Sequence, residues 1–139
     1  MKRPVFIDSN IWLYSFLKQE EAEEKRKSAK RLIKSIKQGY ICVSILIINE
    51  VCYNLKKNGF PESEIKEILI SFYSDFKVIR FTGEIMLKAS ELREKHSFSF
   101  WDSLVIAAAL SDECAVIYSE DMQHNQTIEK KIKIINPFK

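Results

Sequence analysis

A short apolar run that ends at a carboxylate constrains the fold of this chain more than any other feature. Val5–Ile7 is uninterrupted and apolar, and it stops at Asp8. A run this short without alternation is typical of a strand buried on both faces, as in parallel sheets. The run Ala115–Tyr118 has the same design and leads into Ser119 and Asp121. Because open α/β sheets bind ligands at the carboxyl ends of their strands, we expect Asp8 and Asp121 to share one edge.

Strand and helix patterns alternate along the rest of the chain. We expect further strands at Tyr40–Val43, Lys77–Phe81 and Lys133–Ile135, the second of them at an edge of the sheet. We expect helices at about residues 9–16, 20–39, 44–59, 61–75, 83–95 and 99–113. This alternation predicts an α/β fold with a mainly parallel sheet.

The polar residues before each helix are candidate N-caps. Ser44, Thr82 and Ser99 precede three of the helices, and either Ser9 or Asn10 is placed to cap the first. Glycines mark two helix ends, Gly39 after the charged second helix and Gly59 after the third.

Length, charge and cysteine usage narrow the class of protein. A chain of 139 residues is expected to form a single domain over residues 1–139. The net charge of +3 permits a polyanionic partner without indicating one strongly. Cys42, Cys52 and Cys114 lie in apolar contexts without metal-type spacing, which predicts reduced, buried thiols. With no secretory signal or membrane span recognisable, we expect a cytoplasmic protein without a membrane partner.

Four carboxylates occupy positions where a charge is unusual. Asp8 and Asp121 follow buried strands, Asp102 lies in the first turn of the most apolar helix, and Glu50 interrupts an apolar helix. Like charges gathered in one desolvated place repel each other and raise each other's pKa. Such a cluster is stable chiefly when a divalent cation neutralises it. Carboxylate oxygens without paired His or Cys ligands suit Mg²⁺ or Mn²⁺.

Each carboxylate taken singly has a simpler explanation. Asp8 and Asp121 are common residue types at caps and turns, and Asp102 completes a capping box with Ser99. Glu50 is free to pair with a lysine. The joint occurrence of all four on one predicted α/β sheet favours the metal site.

Four sequence segments resemble a known family. They are DSN at 8–10, NEV at 49–51, FWDSLVIAAAL at 100–110 and YSEDMQH at 118–124. In this order they resemble the PIN domain, particularly the VapC-type toxin nucleases, over essentially the whole chain. Family members often carry glycine a few residues after the last aspartate. Asn125 stands there in this chain, and asparagine also tolerates left-handed backbone geometry.

The resemblance implies a fold and a set of site residues. The expected fold is a three-layer α/β/α sandwich with a central, mainly parallel sheet of four to five strands. The residues that match the family's acidic quartet are Asp8, Glu50, Asp102 and Asp121. We expect the three aspartates to hold one or two Mg²⁺ or Mn²⁺ ions, with Glu50 as a further ligand or as an orienter of metal-bound water. Asn10 is expected to bond Asp8 or such a water, and Ser119 to orient Asp121.

The function implied by the resemblance is metal-dependent hydrolysis of RNA phosphodiester bonds by the toxin of a type II toxin–antitoxin pair. A homodimer silenced by a small antitoxin protein is the expected assembly. A PIN nuclease of RNA processing or decay, and a silent RNA- or protein-binding module, are the alternatives. A haloacid-dehalogenase-type phosphatase needs a second aspartate where Asn10 stands. A response regulator needs a lysine at the end of the late strand, where the chain has Ser119.

The histidines and the aromatic residues near Asp102 receive less specific predictions. We expect His124 to be a surface turn residue and His96 to lie at a helix end without a catalytic part. Phe98, Phe100 and Trp101 are expected to pack in the core, with base stacking at the mouth of the site as the alternative.

Overall fold

The computed structural model describes residues 2–139, which form six strands and six α-helices. The strands are β1 (Val5–Ile7), β2 (Ile41–Ser44), β3 (Lys77–Ile79), β4 (Val116–Tyr118), β5 (Thr127–Ile128) and β6 (Ile132–Ile135). The helices are α1 (Ser9–Phe16), α2 (Glu23–Ser35), α3 (Ile45–Lys57), α4 (Glu62–Asp75), α5 (Gly83–Lys95) and α6 (Phe100–Ser111). None of these helices combines the length and the apolarity that crossing a bilayer requires.

The strands form one sheet in the order β3-β2-β1-β4-β6-β5. All neighbours are parallel except β5 and β6, so the sheet is mainly parallel, as predicted. The sheet has six strands, whereas four to five were expected. The additional strand is the two-residue β5, which is too short to carry a hydrophobic pattern in the sequence. The edge position predicted for β3 is confirmed.

The order of the strands reverses between β1 and β4, which are neighbours in the sheet. The chain steps from β1 to β2 to β3 in one direction and then returns across the sheet to β4. Right-handed crossovers therefore place α1 to α4 on one face and α5 and α6 on the other, which gives the expected three layers. The carboxyl ends of β1 and β4 form the topological switch point, where α/β sheets bind their ligands.

The core fills the space between the three layers. Large side chains from the sheet and from both helical layers are fully buried, among them Phe6, Ile41, Leu55, Ile106 and Ile117. Helix α6 is buried along most of its length, because apolar residues cover nearly its whole circumference. Cys42 and Cys114 are buried and Cys52 is half-buried, and all three thiols are free.

The helix N-caps follow the sequence with one exception. The hydroxyls of Ser44, Thr82 and Ser99 accept hydrogen bonds from backbone N–H groups in the first turns of α3, α5 and α6. Helix α1 is capped by Asp8 rather than by Ser9 or Asn10. The helix begins immediately after the strand, so the carboxylate at the strand end is already in the capping position.

One predicted helix end is wrong. Helix α2 ends at Ser35, and Gly39 lies in a separate 3-10 turn over Gln38–Tyr40. The approach to the buried strand β2 takes the chain out of the helix before the glycine is reached. Gly59, in contrast, has φ of +88° just beyond α3, which is the left-handed geometry expected of a helix stop.

Candidate functional site

Asp8 is fixed at the switch point by both of the strands that meet there. Its backbone N–H donates to the carbonyl of Tyr118 at 2.9 Å, which extends the pairing of β1 with β4 by one residue. Its Oδ1 accepts from the backbone N–H of Ser9 at 2.8 Å, and its Oδ2 accepts from the Ser119 hydroxyl at 2.7 Å. Only 7% of Asp8 is exposed. The carboxylate is therefore held in one orientation at the floor of the site.

The environment of Asp8 makes its negative charge unfavourable. Burial raises its pKa from 3.8 to about 6, although the hydrogen bonds from Ser119 and Ser9 act in the opposite direction. The nearby charges of Glu50 and Asp121 raise the pKa further. Glu50 and Asp121 thus lie within electrostatic reach of Asp8.

Ser9 connects two of these acids. Glu50 lies on α3, one face of which packs against α1, and it is half-buried. Its Oε2 accepts from the Ser9 hydroxyl at 3.1 Å, while the Ser9 backbone N–H donates to Asp8. Glu50 is therefore held by a hydroxyl rather than paired with a lysine.

Asn10 holds the loop that follows β4. Its Nδ2 donates to Oδ2 of Asp121 at 3.0 Å, and its Oδ1 accepts from the backbone N–H of Glu120 at 3.2 Å. Ser119 bonds the Asp8 carboxylate and also accepts from the backbone N–H of Asp121 at 3.2 Å. Asn10 therefore bonds the carboxylate of Asp121 rather than that of Asp8. Ser119 contacts Asp121 through the backbone N–H of Asp121 and in addition bonds the Asp8 carboxylate. The reason is the pairing of β1 with β4, which brings Ser119 beside Asp8.

Asp102 approaches the site from the opposite helical layer. Its backbone N–H donates to the Ser99 hydroxyl at 3.1 Å, which is the capping contact expected from the sequence. Its carboxylate makes no hydrogen bond within residues 2–139, and Asp102 and Asp121 both line a cavity of about 420 Å³. The capping explanation therefore accounts for the backbone of Asp102 and leaves its side chain unexplained.

None of the four carboxylates is neutralised by a basic side chain. Across residues 2–139, the salt bridges join other acids to lysines and to Arg26. In the same residues, no three Asp, Glu, His or Cys side chains are close enough together to form an assembled metal site. Asp121 is exposed and Asp102 is half-buried, so binding one ion requires these side chains to move toward Asp8. The donor chemistry, oxygen ligands with unneutralised charge, fits a hard divalent cation.

A network beside the site was not recognised from the sequence. The Tyr14 hydroxyl donates to Oε1 of Glu120 at 2.7 Å, and Lys25 forms an ion pair with the same carboxylate. The Lys25 ammonium also lies 5.2 Å from the centre of the Tyr14 ring and 5.5 Å from that of Phe138. These contacts join α1, α2 and the C-terminus to the loop that carries Asp121. The only signal in the sequence is the adjacency of Glu120 and Asp121.

The aromatic residues beside Asp102 are more exposed than predicted. Phe100 is 51% and Trp101 is 61% exposed, so the core role expected for these two is wrong. They occupy the first turn of α6, before the helix enters the core. The Arg93 guanidinium lies 4.3 Å from the Phe100 ring centre. Phe98 is half-buried and packs against His96 at 5.2 Å between ring centres.

Two residues of the loop after β4 have structural contacts. Nδ1 of His124 accepts from the backbone N–H of Asn136 at 2.9 Å, which ties this loop to the end of β6. Asn125 has φ of +69°, so the left-handed geometry anticipated for this position is present.

A larger cleft of about 550 Å³ lies away from the carboxylates, beside β3 and between α5 and α6. Two of its lysines are engaged, Lys77 with Asp112 and Lys88 with Glu129, each at 2.9 Å. None of the four site carboxylates lines this cleft. Its volume alone does not give it a chemical role.

A mainly parallel sheet with unneutralised carboxylates at its switch point defines an α/β protein with an acidic site at the strand ends. The family model described as the PIN domain matches residues 5–130. The chain belongs to the PIN domain family.

Solved structures with the same fold include several toxins. A toxin–antitoxin complex from Klebsiella pneumoniae aligns with a TM-score of 0.71 and 17% identity, over 96% of this chain and 97% of that chain. VapC20 from Mycobacterium tuberculosis, a sarcin-ricin loop cleaving toxin, aligns with a TM-score of 0.68 and 19% identity, over 84% of this chain and 89% of that chain. DNA-bound VapBC from Salmonella typhimurium aligns with a TM-score of 0.70 and 15% identity, over 96% and 97%. No curated protein matches the sequence.

Proposed function

We propose that this chain is a metal-dependent endoribonuclease and the toxin of a toxin–antitoxin pair. The main support for the proposal is the buried Asp8 carboxylate. Its pKa is raised, and it lies near Glu50 and Asp121. No basic side chain within residues 2–139 neutralises it. Membership of the PIN family supports the assignment to the nucleases. We further propose that residues 1–139 act as one domain, since one continuous core cluster joins both helical layers to the sheet.

The residues proposed to hold the cofactor, Mg²⁺ or Mn²⁺, are Asp8, Glu50, Asp102 and Asp121. A divalent cation bound there would acidify a water for attack on phosphorus and offset the charge that develops on the phosphate oxygens. Asp8 would be the fixed ligand of the ion, because its two carboxylate oxygens are held by Ser119 at the end of β4 and by Ser9 at the start of α1. Asp102 and Asp121 supply oxygens from the opposite helical layer and from the loop after β4.

The supporting side chains keep the acids apart and in place. The side-chain amide of Asn10 donates to the Asp121 carboxylate and accepts from the backbone N–H of Glu120. Ser119 holds Asp8 through its hydroxyl proton and the loop backbone through its oxygen lone pairs. Ser9 holds Glu50. Contacts of this kind limit the movement needed when the charges gather around an ion.

The relatives suggest the substrate and the partner. VapC20 of Mycobacterium tuberculosis is a toxin that cleaves the sarcin-ricin loop, and the Klebsiella pneumoniae structure is a toxin–antitoxin complex. We extend RNA as substrate and an antitoxin protein as partner to this chain. We also propose that the chain forms a homodimer and acts in the cytoplasm, where its three free thiols stay reduced.

RNA cleavage by the purified protein tests the proposal. We expect Asp102→Asn to abolish cleavage of a mixed single-stranded and structured RNA in Mn²⁺ while the fold is kept, because asparagine preserves the shape of the side chain. Asp75→Asn at the end of α4 is the matched control and should cleave like the wild type. Each protein is assayed with Mn²⁺, with Mg²⁺ and with EDTA.

Three results would contradict the proposal. Cleavage by Asp102→Asn at the wild-type rate would remove this residue from the reaction. Cleavage that persists in EDTA would exclude the proposed cofactor. Absence of cleavage by the wild type in either metal, with the antitoxin removed under denaturing conditions and the protein refolded, would favour the binding module.

A further inference from the structure

The cavity shared by Asp102 and Asp121 extends well beyond the two carboxylates. Its other walls come from the connection between α5 and α6 and from the loop after β4. We call it the loop pocket, and its lining includes His96, Phe98, Gln123 and Gln126. With a volume of about 420 Å³, it is within the usual range of roughly 300–1,000 Å³ for ligand sites.

Two amide side chains in the loop pocket have no hydrogen-bond partner among residues 2–139. Among the hydrogen bonds formed within residues 2–139, none involves the side-chain amide of Gln123 or Gln126. The Gln126 backbone, by contrast, is fixed, since its carbonyl accepts from the N–H of Ile134 at 2.9 Å. A half-buried glutamine on a fixed backbone offers both a donor and an acceptor toward a ligand.

The pocket also offers ring surface. Phe98 and His96 are half-buried and lie with their ring centres 5.2 Å apart and their planes tilted by 46°. Aromatic rings of this kind are surfaces on which unpaired bases of single-stranded RNA stack, while side-chain amides bond the edges of such bases.

The charges around the pocket favour a base over a phosphate as its occupant. Lys95 is the lysine of the lining, and its ammonium is engaged by Glu91 at 2.7 Å. Asp102 and Asp121 add negative charge at the end nearest the acidic site. A phosphate is repelled by these carboxylates unless a cation lies between, whereas an uncharged base is not.

We propose that the loop pocket binds the base of the nucleotide next to the scissile phosphate of single-stranded RNA, with Gln126 and Gln123 bonding its edge. The proposal deepens the nuclease function and rests on it, because Asp102 and Asp121 belong both to the acidic site and to the pocket wall. It assigns His96 and Phe98 to stacking rather than to proton transfer.

The test compares the base preference of the wild type with that of the double variant Gln123→Ala/Gln126→Ala. Both proteins cleave a randomised single-stranded RNA pool in Mn²⁺, and the cut ends are sequenced. The matched control is Gln19→Ala/Gln38→Ala, which removes two exposed glutamines away from the pocket. Where the wild type does not cleave, binding of the uncut pool is measured in Mn²⁺ for the same three proteins.

We expect the wild type and the control to share a base preference at one position beside the cut. The pocket variant should lose that preference and cleave the preferred RNA roughly tenfold more slowly, in line with the loss of one bidentate base contact. Flanking positions should keep their preferences, which a general loss of stability would not produce. An unchanged preference in the pocket variant would overturn the inference and leave the nuclease function standing.

The binding measurement separates the two proposals when the wild type does not cleave. In that case the proposed nuclease function fails. The affinities of the three proteins for the RNA pool then show whether the loop pocket binds a base. A pocket variant that binds the pool roughly tenfold more weakly than the control supports it. Equal affinity of all three proteins, or no binding by the wild type, overturns it.

Discussion

Asp8 combines three roles that the sequence presents as alternatives. It ends a buried strand and caps helix α1, and it is the central carboxylate of the proposed metal site. The sequence therefore predicts its position and its chemistry. It does not predict which hydroxyl or amide bonds which acid, because that depends on the register of β1 against β4 and on the conformation of the loop at 119–125. The bond from Ser119 to Asp8 follows from this register.

The raised pKa of Asp8 predicts how the stability of the metal-free protein depends on pH. Well below pH 3.8, folded and unfolded chains both bind the proton, and Asp8 has no effect on the free energy of unfolding. Between pH 3.8 and about 6 the folded state binds more protons, so stability falls as the pH rises. Above that range the free energy of unfolding is lowered by the full cost of the buried charge, which the shift of the pKa sets at up to about 3 kcal/mol.

We therefore expect Asp8→Asn to unfold at higher urea concentration than the wild type at pH 8 in EDTA. The two proteins should converge as the pH is lowered toward 4. Asp75→Asn serves as the control and should follow the wild type at both values. A wild-type protein that is more stable than Asp8→Asn at pH 8 without metal would show that the buried charge is compensated by contacts other than those described.

At the scale of elements, hydrophobic runs, caps and turn residues identify most of the fold. Ser44, Thr82 and Ser99 cap helices as expected, because a short polar side chain before an apolar helix has few other roles. The early end of α2 and the presence of β5 were not predictable. Long-range packing determines both features, and local sequence propensity is too weak to predict them. The exposure of Phe100 and Trp101 has the same cause, since only the three-layer arrangement decides which turn of α6 enters the core.

The left-handed conformation of Asn125 gives a prediction for the loop after β4. Its backbone N–H donates to the carbonyl of Ile134 at 2.8 Å, so the turn is held by β6 and cannot relax. We expect Asn125→Ala to lower the free energy of unfolding by about 1 kcal/mol, since alanine lacks the short polar side chain that lets asparagine adopt positive φ. Asn125→Gly should be close to neutral, because glycine adopts this conformation freely.

Chemical denaturation of the two Asn125 variants at one pH provides the measurement. The outcome that counts against the backbone argument is an alanine variant as stable as the glycine variant. In that case the asparagine side chain, rather than the positive φ, would be what the position requires.

At the scale of the whole molecule, the site depends on the topology of the sheet. Asp8, Glu50, Asp102 and Asp121 are separated by many residues in the chain. The neighbouring strands β1 and β4 bring Asp8 and the Asp121 loop together, and Asp102 shares a cavity with Asp121. Alternating strands and helices predict this meeting at the carboxyl edge. The arrangement of the side chains around an ion cannot be read from the sequence, because mutual repulsion and the movement of Asp102 and Asp121 decide it.

The surface of the molecule also carries apolar side chains outside the site. Tyr53 on α3 and Ile70 and Tyr73 on α4 are more than half exposed. These two helices pack against each other, so the exposed rings and aliphatic groups lie on adjoining elements. Exposed apolar groups of this size are compatible with the proposed association of the chain with a second protein or a second copy.

A calorimetric titration with Mn²⁺ measures the binding of the proposed cofactor to the four carboxylates without a substrate. We expect saturable binding by the wild type and by Asp75→Asn, and binding at least roughly tenfold weaker by Asp121→Asn. Asp121 is exposed, so this substitution leaves the core unchanged. Equal Mn²⁺ affinity in all three proteins, or no binding by the wild type at millimolar concentrations, would rule out the metal site proposed at these carboxylates.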